Sequence, residues 1–385
     1  MYIMETRRID RKIRSTIRTS ALSGLIWSAF ERRFIDEEEI DDPAELNLRM
    51  KEFRALPKEE KGSVTDDQMF MMEMLSQLME QQLDSNEIPE GSLLHGIVGI
   101  MALNGHVYHK ADFENDSYLQ TFFFDEPVTC GDYTLTNIRF FPYKFAMDDA
   151  VSFSEDGLLL PQPAAFADTY FAPALRKNEG EEALTLDFIF PYTINTAKPL
   201  LSEAKGSVLL LGAGLGYVSF HLSENTEVSH ITIVEPDPAY RTLFEQHLLP
   251  KFPHPEKITL ITDDPQTYLR HMNDGDYDFC FVDCLNETID LLPYLHARKI
   301  TDAFQKTKVF YRGEGFFLFL FRSVMTTCLA NAYAPLGIDP EAGRDLFPSK
   351  VLEFMEQLTS DIRITKDKEI DELMTVDGIL KLMDA

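Results

Sequence analysis

From Ser207 onward, short apolar runs alternate with stretches of helical spacing, and few folds accommodate that pattern. The candidate strands are 207–211, 230–234, 258–261, 279–282 and 309–311, with helices between them. A strand that is apolar at consecutive positions has no wet face, so it belongs in a parallel sheet with helices on both sides. Asp237-Pro238 and Asp264-Pro265 sharpen two of the junctions. Each places a carboxylate at a helix N-cap and a proline at the first helical position, where the missing N–H costs nothing. The expected fold class over 199–330 is therefore α/β.

The remainder of the chain reads differently. Residues 1–110 are expected to be mainly helical, because Met69, Met72, Leu75, Leu78 and Met79 recur at three- and four-residue spacing and read as a buried stripe. Arg7, Arg8, Arg11, Lys12, Arg14 and Arg18 read as an exposed basic helix. Across 111–198 the composition shifts to Phe, Tyr, Thr and Val, which predicts a β-rich subdomain. Gly131-Asp132 is expected as a turn between strands over 121–128 and 133–141. Beyond Gly315 the spacing is helical again, so 331–385 is expected to be a helical tail, and the parallel sheet to lack a terminal antiparallel pair.

Chemistry concentrates at the strand ends. The first strand runs into Gly212-Ala213-Gly214-Leu215-Gly216, a tight turn with no side chains to block a ligand. Glu235 follows the second strand, where a carboxylate can accept from both hydroxyls of a ribose. Asp264 ends the third; it can face an adenine amine, cap the next helix, or do both. Asp283 closes the fourth and opens onto the crevice where such sheets bind ligands. Asn286 and Tyr192 are candidates to orient an acceptor beside Asp283. A dinucleotide site needs a third glycine where Tyr217 stands, so NAD fits poorly and a ligand without phosphates fits better.

Residues 207–300 resemble the class I S-adenosylmethionine-dependent methyltransferases, and 208–216 is similar to their first motif. Within that superfamily, 231–235, 258–264 and 277–283 look most like the spermidine synthase branch. The resemblance implies a Rossmann-like domain and S-adenosyl-L-methionine as cofactor. It makes Gly212, Gly214 and Gly216 the cofactor loop, Glu235 the ribose ligand and Asp264 the adenine contact, and it puts Asp283 in the place of the branch's catalytic acid. Leu215 stands where the branch has an acid, and Cys284-Leu285-Asn286-Glu287 replaces a Ser and an Asp-Pro, which weighs against polyamine chemistry. The expected function is methyl transfer to a small-molecule or protein acceptor. Aminopropyl transfer and a non-catalytic binding protein that keeps the fold are the alternatives.

Composition narrows the partners. Lys plus Arg total 36 against 64 Asp plus Glu, a formal charge of −28 that repels a phosphate backbone and speaks against nucleic acid. Cys130, Cys280, Cys284 and Cys328 show neither a paired metal spacing nor a disulfide density, so a reducing, cytoplasmic setting and no metal are expected. The apolar run 315–321 is far shorter than the roughly 20 residues of a membrane helix. Phosphate-loop, zincin and nucleophile-elbow motifs are missing. A homodimer is left open.

Overall fold

The computed structural model describes residues 43–82, 103–152, 159–179, 182–283 and 291–315, with 366–373 and a few isolated positions. The chain divides into two compact units, Met1–His109 with Phe141–Thr169 and Gly315–Ala385, and Lys110–Phe140 with Tyr170–Glu314. The β-rich stretch read over 111–198 is thus shared between them.

In the first unit, helices Pro43–Ala55 and Asp66–Gln82 accompany a three-stranded sheet ordered His106–Tyr108, Leu159–Phe166, Phe145–Ser152. Helix Asp66–Gln82 buries Phe70, Met71, Met74 and Leu75, whereas Met72 is 37% exposed and Met69 half-buried. The stripe expected along Met69 and Met72 is therefore corrected by a rotation of about one residue. Three- and four-residue spacing also fits the neighbouring face, and Phe70, the larger apolar side chain, takes the interior. The side chains of Leu78 and Met79 lie outside the described residues. So does most of 331–385, on which the missing antiparallel pair was expected; Asp367–Leu373 is helical. Among the described residues, no helix is long and apolar enough to cross a membrane.

The second unit opens with α1 (Ser117–Thr121), followed by an antiparallel sheet of β1 (Val128–Cys130), β2 (Tyr133–Phe140), β3 (Tyr170–Glu179) and β4 (Glu182–Phe188), in that order. The turn at Gly131-Asp132 forms as expected, with Gly131 at φ +60°. The strand expected over 121–128 does not. Asp116 caps α1 by accepting from the Leu119 N–H at 2.9 Å, and Tyr118 stacks on Phe122 one turn on, at 4.5 Å between ring centroids. Both rings are fully buried, so tertiary burial of the aromatics overrode β propensity, and 122–127 runs as neither helix nor strand. Asn137 then holds the chain out of the sheet by donating to the Phe124 carbonyl at 2.7 Å.

After α2 (Pro191–Glu203) comes the parallel part: β5 (Gly206–Leu211), α3 (Tyr217–Glu224), β6 (Val228–Val234), α4 (Pro238–Leu243), β7 (Ile258–Ile261), α5 (Pro265–His271), β8 (Phe279–Val282), α6 (Leu291–Thr301) and β9 (Lys308–Tyr311). All five strands are parallel, in the order β7-β6-β5-β8-β9. In chain order that is third, second, first, fourth, fifth, which is Rossmann-like and places a switch point between β5 and β8. Both proline junctions form as read. Asp237 accepts from Ala239 and Tyr240, and Asp264 accepts from Thr267 at 2.7 Å. The core runs from Val208, Leu210, Ile231, Ile233 and Phe281 in the sheet to Tyr118 on α1 and Phe122 just after it.

Register sets the site. Ile261, Val234, Leu211, Val282 and Tyr311 are consecutive partners across the sheet. The residues that follow, Thr262, Glu235, Gly212, Asp283 and Arg312, therefore leave its carboxyl end in one row.

Candidate functional site

The glycine loop between β5 and α3 is braced on every side. The Gly212 N–H donates to the Val234 carbonyl at 2.9 Å, and the Gly216 N–H to the Ala213 carbonyl at 3.1 Å. The Tyr240 hydroxyl donates to the Gly214 carbonyl, and the Tyr118 hydroxyl to the Leu215 carbonyl at 2.6 Å. Gly214 and Gly216 have positive φ for different ends. A Cβ on Gly216 (φ +81°) would come within 2.9 Å of Phe252 and 3.1 Å of Phe244, inside the core. One on Gly214 (φ +46°) would lie 3.2 Å from Asp187 Oδ2 and 3.4 Å from Asp283 Oδ2. Gly214 is thus the glycine that leaves room beside the carboxylates.

Glu235 is only 8% exposed. Its Oε1 accepts from the Asp237 N–H at 3.0 Å and its Oε2 from the Ala213 N–H at 3.4 Å, which ties it to the glycine loop. Among the described residues no cation pairs with it. Burial raises its pKa above the ordinary value, the two N–H groups oppose that, and Asp237 adds to it. Two bonds leave a carboxylate with further lone pairs for donors from a ligand. Asp237 in turn accepts from the Tyr133 hydroxyl on the β1–β2 hairpin, which lowers its pKa.

At the other side of the switch point, Arg312 sits between two acids. Its Nη1 donates to Asp283 Oδ1 at 3.0 Å, and its Nη2 to Asp187 Oδ1 at 3.2 Å and to Thr193 Oγ1 at 3.0 Å. The Arg312, Asp187 and Asp283 side chains are 10, 10 and 11% exposed. Asp187 Oδ2 accepts from the Leu215 N–H at 3.2 Å, so this network also grips the glycine loop. Burial pushes Asp283 up to about 6, against the pull of Arg312 and with a push from Asp187. Burial alone would lower Arg312, but Asp187 and Asp283 outweigh it and hold the guanidinium above its ordinary value. Two carboxylates and one guanidinium leave the cluster beside Gly214 with a net negative charge.

The residues singled out from sequence are distributed as follows. Gly212, Glu235 and Asp283 stand in the row at the strand ends, with Gly214 in the loop facing Asp187 and Asp283. Gly216 belongs to the start of α3 and turns toward the core. Asp264 lies two residues beyond the row, is exposed, and spends its carboxylate on capping α5, which lowers its pKa. Tyr192 is half-buried on α2; its neighbour Thr193 is the residue bonded to Arg312. Asn286 lies outside the described residues, as does Cys284. Sequence reasoning passed over Arg312, Asp187, Thr193 and Tyr240. Arg312 follows the fifth strand just as Asp283 follows the fourth, and Asp187 is the one charged residue in the mostly apolar run 184–190, a sign of a buried partner.

No family model matches the chain, and no curated protein does. Among solved structures it is similar to the spermidine synthase of Thermotoga maritima, at 12% identity over 40% of this chain and 59% of that one, with a TM-score of 0.27. It is also similar to a spermidine synthase solved in complex with the transition-state analogue AdoDATO, at 14% identity over 40% and 58%, with a TM-score of 0.28. The chain therefore spans under two thirds of either enzyme, and the fold assignment rests on its own strand order and register.

Proposed function

We propose that the row at the carboxyl end of the sheet binds S-adenosyl-L-methionine and that the protein is a methyltransferase. The observation that carries this reading is Glu235, a buried carboxylate with no cationic partner among the described residues, bonded to the glycine loop and with lone pairs to spare. A ribose diol supplies the two donors such a group lacks. The residual negative charge beside Gly214 suits a sulfonium, and the turn offers no phosphate a cradle of side-chain cations. Glu235→Ala is expected to weaken S-adenosylhomocysteine binding by about 1.5–3 kcal/mol in calorimetry, with the fold intact. Equal affinities would remove Glu235 from the site.

Arg312 favours methyl over aminopropyl transfer. A polyamine is cationic in water and must be held and deprotonated before its nitrogen attacks, and Asp283 is already bonded to a guanidinium. Methyl transfer to an acceptor that is already nucleophilic needs alignment with the sulfonium carbon, and a clamped carboxylate supplies that. Asp283→Asn keeps the shape and is expected to slow methyl transfer about tenfold. Wild type incubated with decarboxylated S-adenosylmethionine and putrescine or spermidine is expected to release no methylthioadenosine. Stoichiometric release, abolished in Asp283→Asn, would establish aminopropyl transfer instead.

A further inference from the structure

Helix α3, which starts at the glycine loop, is gripped by the turn that opens α1. Tyr118 donates to Leu215 as described, and the Tyr217 hydroxyl donates to Asp116 Oδ2 at 2.8 Å while Asp116 Oδ1 caps α1. One turn along α3, His221 lies between two carboxylates from different elements. Its Nδ1 is 3.1 Å from Glu224 Oε2, and its Nε2 is 3.6 Å from Asp116 Oδ2. Ser117, the first residue of α1, donates to the same Glu224 oxygen at 3.0 Å. The rings of Tyr217 and Phe220 pack on the imidazole at 4.6 and 5.5 Å. The titratable groups around His221 are thus Asp116, Glu224 and Tyr217, and Asp116 in turn raises the pKa of the buried Tyr118 and Tyr170 behind it.

A neutral imidazole carries one proton and can serve one of two carboxylates; an imidazolium serves both. The Nε2 atom is buried with no hydrogen-bond partner, and the carboxylate of Asp116 at 3.6 Å attracts an imidazolium and repels the lone pair of a neutral ring. We infer that His221 is a positioning residue whose protonation locks the α1 turn onto α3 and so holds the glycine loop in its ligand-ready backbone. Burial alone would lower the His221 pKa, but the adjacent Asp116 and Glu224 carboxylates outweigh it and raise it above the ordinary value. The lock is closed below that raised value and opens as pH rises through it, and the stability it supplies is lost in the same direction. The loop's role toward a nucleoside rests on the function proposed above; the lock does not.

The test is amide hydrogen exchange of the full-length protein across residues 212–216 from about pH 6 to about pH 9, corrected for intrinsic exchange, with calorimetry of S-adenosylhomocysteine alongside. In wild type, loop protection and affinity are expected to fall about three- to tenfold as pH rises. In His221→Gln protection is expected to be low and independent of pH. Asp116→Asn keeps an N-cap and removes the charge, and is expected to flatten the profile too, which decides the matter if the histidine variant does not fold. Constant wild-type protection across the range, or a wild-type profile in Asp116→Asn, would overturn the inference. PH-dependent protection with no ligand binding at any pH would sustain the lock and reject the proposed cofactor.

Discussion

Arg312→Leu is expected to destabilise the sheet by about 3–5 kcal/mol, because it leaves Asp187 and Asp283 buried without their shared cation. Thr193 Oγ1 and two carboxylate oxygens lose their donors at once. The effect exceeds what Asp283→Asn should cost, since an amide oxygen at 283 can still accept from Arg312 and Asp187 keeps its bond to the guanidinium. Exchange of the amides in β5, β8 and β9 measures it region by region, which suits a chain of two compact units better than one global transition. A triple variant, Arg312→Leu with Asp187→Asn and Asp283→Asn, should recover a large part of the loss, because it deletes the uncompensated charges themselves. If the single variant keeps wild-type exchange in all three strands, the cluster is not the electrostatic keystone of this sheet.

Gly216→Ala should cost about 2–5 kcal/mol, nearly as much, and for an unrelated reason. An L-residue in the left-handed region loses about 1–2 kcal/mol, and forcing a methyl into a packed core costs about 1–3 more. Here the methyl would meet the rings of Phe252 and Phe244, which are 5% and 0% exposed and have little room to retreat. Thermal unfolding followed by exchange in α3 reads the effect, and a shift under about 1 kcal/mol would mean that the rings repack freely. The same variant also separates two uses of glycine in one motif. Gly216 serves packing and helix initiation, whereas Gly214 serves the space between Asp187 and Asp283.

The amino-acid sequence was sufficient for whatever depends on neighbours in the chain. Apolar runs bounded by turn residues located all five parallel strands within two residues. Asp237-Pro238 and Asp264-Pro265 located two helix starts, because an N-cap and the proline after it act through bonds only a few atoms away. It also brought Gly212, Glu235 and Asp283 forward as strand-end residues, since in a parallel sheet each strand's last residue is close to the ligand edge wherever that strand sits. It misjudged the face of helix Asp66–Gln82, where several spacings were equally regular and only the neighbouring surface chose among them. It misjudged 121–128, where Tyr118 and Phe122 had to find Phe220 and Phe252 before the chain left a short helix at Thr121 for an irregular path instead of a strand. Tertiary structure alone brought Asp187, Thr193, Asp283 and Arg312 together, because a guanidinium can be buried only where carboxylates from distant segments arrive with it, and no local pattern encodes that meeting.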